Sequence, residues 1–175
     1  TPGTNDPNPE RDKVTKEWIQ QADAVIYVTY AGQAGMNQED ADFLDKYLLH
    51  VPTERKILAV NKCDTIDDVR SIESHLRGVA ENDIRLRDFL KGRDQIAMVS
   101  GLAGLIQTMR SKDRELSEEL SYELPKLEKK GWLSPEKNGV DRLRNLIEKR
   151  LIQNKGEGLI LKEQNMGSIL NIIHL

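Results

Sequence analysis

Lys56-Ile57-Leu58-Ala59-Val60-Asn61-Lys62-Cys63-Asp64 decides the fold of this chain. After the leading lysine the run is continuously apolar and does not alternate. That is the mark of a strand covered on both faces, as in parallel sheets. It then switches within one residue to polar groups. Two runs of the same kind flank it, Ala24-Val25-Ile26-Tyr27-Val28 before and Gln95-Ile96-Ala97-Met98-Val99 after. Helical patterns lie between them. Glu10–Gln21 places Val14, Trp18 and Ile19 among charges. Gln38–Leu49 puts Ala41, Leu44 and Leu48 on one face, with acids in its first turn. Thr65–Val79 reads as a helix, followed by a short one at Arg85–Leu90. Beyond the third run, residues 102–130 read as helical and highly charged. Gly139–Gln153 carries Val140, Leu143, Leu146, Ile147 and Leu151 on one stripe. Strands alternating with helices predict an α/β fold with a mostly parallel sheet flanked by helices.

The 175 residues suit one domain with an adequate core. Two parts are expected: residues 1–155 as the α/β unit, and residues 156–175 as a C-terminal helical segment set off by Gly156 and Gly158. Asp and Glu total 29 against 26 Lys and Arg, a net charge of -3, which argues against a nucleic-acid partner. The one cysteine, Cys63, forms no intrachain disulfide and suits a reducing, cytoplasmic setting. No apolar run approaches the roughly 18 residues of a membrane span. The first ten residues hold Pro2, Pro7, Pro9 and Gly3 and read as a loop rather than a signal peptide. With no initiator methionine, the chain is expected to be part of something longer.

In parallel sheets ligands bind at the carboxyl ends of the strands, so the loops after Val28, Val60 and Val99 are where chemistry is sought. Asn61-Lys62-Cys63-Asp64 occupies the middle one. It matches Asn-Lys-x-Asp, the guanine-selecting pattern of GTP-binding domains. A carboxylate at Asp64 accepts two hydrogen bonds from the guanine N–H groups, and adenine offers no matching pair. Lys62 can lay its methylene stem along the base. Asn61 can tie this loop to its neighbours. A polar turn after a strand is the ordinary alternative, and position at a strand's carboxyl end weighs against it. Ser100-Gly101, after the third run, resembles the last guanine loop, whose backbone N–H reaches the base oxygen. Thr1-Pro2-Gly3 resembles the end of an Asp-x-x-Gly motif, in which the glycine N–H approaches the γ-phosphate. Each of these two is common as a plain loop; their order along the chain links them to Asp64.

Thr1-Pro2-Gly3-Thr4-Asn5-Asp6-Pro7, Ala22-Asp23-Ala24-Val25-Ile26-Tyr27-Val28 and Asn61-Lys62-Cys63-Asp64 together resemble the bacterial dynamin-like GTPases. The likeness is good from residue 1 to about 110 and weak beyond. It implies a partial P-loop GTPase-type fold, binding of GTP or GDP, and GTP hydrolysis by the whole protein. It further implies a helical stalk, for which residues 156–175 would be the start. A homodimer across the nucleotide face is implied, as is a membrane target reached through regions outside this chain, which sets the protein in the cytoplasm or at the membrane periphery. Asp67 stands where dynamin relatives place an acid that reaches the partner's nucleotide; an acid favoured by a helix N-terminus is the simpler reading.

The 175 residues contain no Gly-x-x-x-x-Gly-Lys-Ser/Thr, the loop that supplies most phosphate contacts and a hydroxyl for Mg²⁺. Mg²⁺ is therefore expected through residues not in this chain, no residue within it is assigned a catalytic or metal-binding role, and this stretch alone is expected to be inactive. Two other functions stay open: a regulatory GTPase acting on the ribosome or RNA, for which no basic extension is visible, and a non-catalytic module kept for protein contacts. His50, His75 and His174 show no ligand spacing. Trp18 and Trp132 read as packing residues, Cys63 as a small packing residue in the motif's free position, and Lys129-Lys130 as part of a solvated helix face.

Overall fold

The computed structural model describes residues 9–33, 38–83, 87 and 95–155. Gly3, the C-terminal segment 156–175 and most of the short helix expected at Arg85–Leu90 lie outside them. The fold is α/β, with three parallel strands in the order β1 (Val25–Tyr30), β2 (Lys56–Asn61), β3 (Ile96–Met98). Val25 pairs with Lys56 and Tyr30 with Asn61; Leu58 pairs with Ile96 and Val60 with Met98. In-register pairing therefore brings all three carboxyl ends to one edge of the sheet.

β2 shows why the central run is uninterrupted. Successive side chains point to opposite faces, and both faces are covered. Leu58 and Val60 pack with Leu44, Leu48, Leu76 and Ile106 on one side; Ile57 and Ala59 pack with Leu143, Leu146, Ile147 and Leu151 on the other. Ile57, Leu58 and Val60 are wholly buried, each worth roughly 1.5–3 kcal/mol of hydrophobic stabilisation. β1 departs from expectation. Its unbroken apolar run predicts cover on both faces, yet Val28 is 58% exposed and Tyr30 39%. Among the described residues β1 is hydrogen-bonded to β2 alone, so its outer margin and the end of its outer face lack cover.

The helices follow the apolar stripes with local exceptions. α1 spans Pro9–Gln21. α2, Gln38–Phe43, passes into a π-helical stretch, Leu44–Leu48, that buries Leu44 and Leu48. Phe43 stacks between Tyr27 and Tyr47, with ring centroids 5.4 and 4.6 Å away. α3 begins later than expected, at Val69–Asn82, because the Asp68 side chain caps it by accepting from the Ser71 N–H at 3.1 Å. The helical region expected over 102–130 consists of two helices, α4, Gly101–Ser111, and α5, Glu118–Lys129. Asp113 breaks the run with a φ of 49°, and Ser117 starts the next helix by capping the Leu120 N–H. A short α6, Pro135–Asn138, leads into α7, Val140–Lys155, whose stripe covers the second face of the sheet. Among the described residues no helix is long and apolar enough to cross a membrane.

Candidate nucleotide-base site

The site grows from the end of β2. Lys62 adopts the left-handed conformation (φ 59°, ψ 34°), which costs a non-glycine residue about 1 kcal/mol. Asn61 Oδ1 offsets that cost by accepting from the Lys62 N–H at 2.8 Å. The reversal drives the chain into a 3-10 turn, Cys63–Thr65. Thr65 fixes the turn by donating its hydroxyl to the Lys62 carbonyl at 2.7 Å. Cys63 points inward and is wholly buried; its thiol donates to the Val60 carbonyl at 3.1 Å, and its N–H to the Val99 carbonyl at 3.1 Å. Burial pushes the thiol pKa up to about 11; the Val99 contact opposes the rise and the Asp64 charge adds to it. With Cys63 turned in, its neighbours Lys62 and Asp64 are left on the outer side.

The second loop is locked to the first. Asn61 Oδ1 also accepts from the Gly101 N–H at 3.0 Å, across 40 residues of sequence. A side chain at Gly101 would bring a Cβ within 3.3 Å of that oxygen, so glycine permits the close approach. Ser100 is wholly buried and caps α4, its hydroxyl oxygen accepting from the Ala103 N–H at 3.2 Å. Its own N–H donates to the Asn138 carbonyl at 2.8 Å. The structure therefore brings Asn61, Lys62, Asp64, Ser100 and Gly101 to one place. Asp64 is half-buried, and its carboxylate accepts no hydrogen bond from a described residue. The Lys62 ammonium lies 5.1 Å from the centroid of the Tyr30 ring. Beside it is an open recess of about 270 Å³ formed by Val28, Thr29, Tyr30, Asp40, Asn61 and Lys62.

Asp67 follows on the next turn, outside α3. Its side chain is fully exposed and stands 3.6 Å from Lys130 Nζ. Lys130 also donates to the Asp64 carbonyl at 3.3 Å. The charge read as part of a solvated face therefore braces the loop from the far end of α5. Sequence reasoning missed a second brace. Asn138 is buried and hydrogen-bonded through Nδ2 to Gln107, and its carbonyl holds Ser100. Gly139 takes φ 74°, and a Cβ there would lie 1.9 Å from the Met98 carbonyl oxygen. The signal is the Asn-Gly pair, a mark of left-handed turns, of which the pattern reading uses Gly139 alone, as the start of the last amphipathic stripe. Among the described residues no group of three or more His, Cys, Asp or Glu is placed to hold a metal ion.

Compared with known proteins, the chain is 29% identical over 181 aligned positions to dynamin-like protein 1 of Campylobacter jejuni subsp. jejuni serotype O:23/36 (strain 81-176). The alignment takes in 95% of this chain and 24% of that protein, so the chain spans about a quarter of its relative's length. The alignment thus extends past residue 110. No protein-family model matches the chain. No solved structure matches it.

Proposed function

We propose that this chain is the guanine-recognising part of a GTP-binding and GTP-hydrolysing protein of the dynamin-like kind. One observation carries the proposal: the Asn61 side chain joins the loop bearing Asp64 to the loop bearing Ser100 and Gly101, at the carboxyl ends of adjacent parallel strands. Asp64 supplies the carboxylate that pairs with the guanine N–H groups. That carboxylate accepts no hydrogen bond from a described side chain or backbone group, and this, together with the half-burial of Asp64, supports that role. Lys62 leaves Tyr30 to lie along the base. The Ser100–Gly101 backbone faces the base oxygen. The 29% identity to a dynamin-like protein supports the same reading.

In this proposal Gly3 meets the γ-phosphate, and both Mg²⁺ and the remaining phosphate contacts come from residues outside this chain. Asp67, fully exposed beside the base loop, reaches the nucleotide of a second copy in a homodimer formed across this face. The whole protein works in the cytoplasm or at a membrane surface that it engages through other regions. The test is titration of the full-length protein with GDP, GTP, ADP and ATP. Guanine selectivity that Asp64→Asn moves toward xanthine nucleotides supports the proposal. Equal binding of guanine and adenine nucleotides sinks it and leaves a module for protein contacts.

A further inference from the structure

The turn bearing Asp64 is held from two sides. On the strand side Cys63 is pinned, its thiol to the Val60 carbonyl and its N–H to the Val99 carbonyl, each at 3.1 Å. On the other side the tether is Lys130, 66 residues away, whose ammonium donates to the Asp64 carbonyl at 3.3 Å. The same ammonium stands 3.6 Å from Asp67 Oδ1, so one cation engages both ends of the stretch 64–67. Lys130 is itself well fixed. It closes α5, after which the chain reverses at Gly131 (φ 72°). The Gly131 N–H donates to the Glu128 carbonyl and the Trp132 N–H to the Leu127 carbonyl, each at 2.9 Å, which is a Schellman cap. Trp132 and Leu127 are buried in the core that also holds Cys63. Lys137 completes the arrangement from α6: its ammonium donates to the Lys130 carbonyl and lies 5.3 Å from the centroid of the Trp132 ring.

We infer that Lys130 is a positioning residue for guanine specificity, acting through the Asp64 backbone rather than on the base. The inference rests on the guanine reading of Asp64. Two parallel hydrogen bonds demand a fixed plane for the carboxylate, whereas a single bond tolerates rotation about it. That plane follows the Asp64 backbone. The local bonds of the turn go elsewhere: the Thr65 N–H and hydroxyl reach the Lys62 carbonyl at 3.1 and 2.7 Å, and the Ile66 N–H reaches the Cys63 carbonyl at 3.4 Å. Lys130 takes the Asp64 carbonyl, and so bears on the second bond to the base more than on the first.

Hypoxanthine is guanine without its amino group and offers Asp64 one N–H donor instead of two. The ratio of GDP to IDP affinity, from calorimetric titration of the full-length protein, therefore measures the second bond. A hydrogen bond to a charged group gives an expected wild-type ratio of about tenfold or more. Lys130→Met keeps the length of the side chain and removes its charge. It should narrow the ratio by about threefold, mainly by weakening GDP. Lys130→Arg keeps a cation at similar reach and restores most of the ratio. Lys129→Met makes the same charge change on the neighbouring exposed residue and leaves the ratio at its wild-type value. An unchanged ratio in Lys130→Met overturns the inference. So does an equal loss for GDP and IDP, which would make Lys130 a structural brace and nothing more. A wild type that binds GDP and IDP alike would remove the guanine reading itself, and this inference with it.

Discussion

Asn61→Ala removes one oxygen that serves two backbone donors. Asn61 Oδ1 accepts from Lys62 at 2.8 Å and from Gly101 at 3.0 Å. Each bond contributes about 1 kcal/mol net, and a donor left half-buried without an acceptor costs roughly 1–3 kcal/mol. Lys62 is exposed, so water replaces its lost acceptor cheaply; Gly101 is half-buried and recovers less. The left-handed turn at Lys62 also loses the bond that offsets its cost of about 1 kcal/mol. Together these predict a loss of about 2–3 kcal/mol in folding stability, read from urea denaturation at constant m-value. If the proposed base site is correct, GDP affinity of the full-length protein falls as well, because the two loops must be reassembled on binding. A penalty of about 2 kcal/mol corresponds to roughly 30-fold in Kd. Asn61→Asp keeps an acceptor at the same place and should retain most of the stability. A change below about 0.5 kcal/mol for Asn61→Ala would refute the idea that this side chain couples the loops.

Three further perturbations separate the contributions. Gly139→Ala should destabilise by at least about 3 kcal/mol, since its Cβ would sit 1.9 Å from a backbone oxygen at positive φ. Gly78→Ala, with nothing within 4 Å in α3, should stabilise by roughly 0.5–1 kcal/mol, and the pair is read in one denaturation series. The Cys63 thiol, raised in the fold from 9.0 to about 11, stays protonated where an unfolded thiol ionises. Its contribution to stability is thus intact below pH 9 and lost as pH rises toward 11, on the order of 2–3 kcal/mol in all. Cys63→Ser should flatten that part of the stability–pH profile, and the wild-type thiol should resist alkylation at pH 8 until the chain is unfolded. Lys130→Ala should cost less than about 1 kcal/mol, because Lys130 is 46% exposed and Asp67 fully so; the effect should shrink further in concentrated salt.

What the sequence revealed and what it hid have distinct physical causes. All three strands were legible because β2 and its neighbours carry uninterrupted apolar runs, and the parallel arrangement followed from the helices between them. The exposure of Val28 and Tyr30 was not legible, since β-branched and aromatic residues read alike at a covered face and at an uncovered margin. Residues 102–130 read as helical with no division marked, because charge pattern carries no record of the positive φ at Asp113 or the cap at Ser117. Asn61, Lys62 and Asp64 stood out because three spaced polar residues followed directly on a buried run. The link from Asn61 to Gly101 spans 40 residues and that from Lys130 to Asp64 spans 66. Local pattern has no access to such pairings, so Lys130 looked like solvated charge. The Asn138–Gly139 turn was visible as a dipeptide, but its role as a brace for Ser100 depends on tertiary packing alone.

Competition of GTP against XTP for the full-length protein, with wild-type Asp64 and with Asp64→Asn, tests the central claim most directly. The account predicts selective GTP binding by the wild type and a swing toward XTP in the variant, because an amide in place of the carboxylate reverses the hydrogen-bonding demand on the base. An Asp64→Asn protein that folds normally and still prefers GTP over XTP would contradict it.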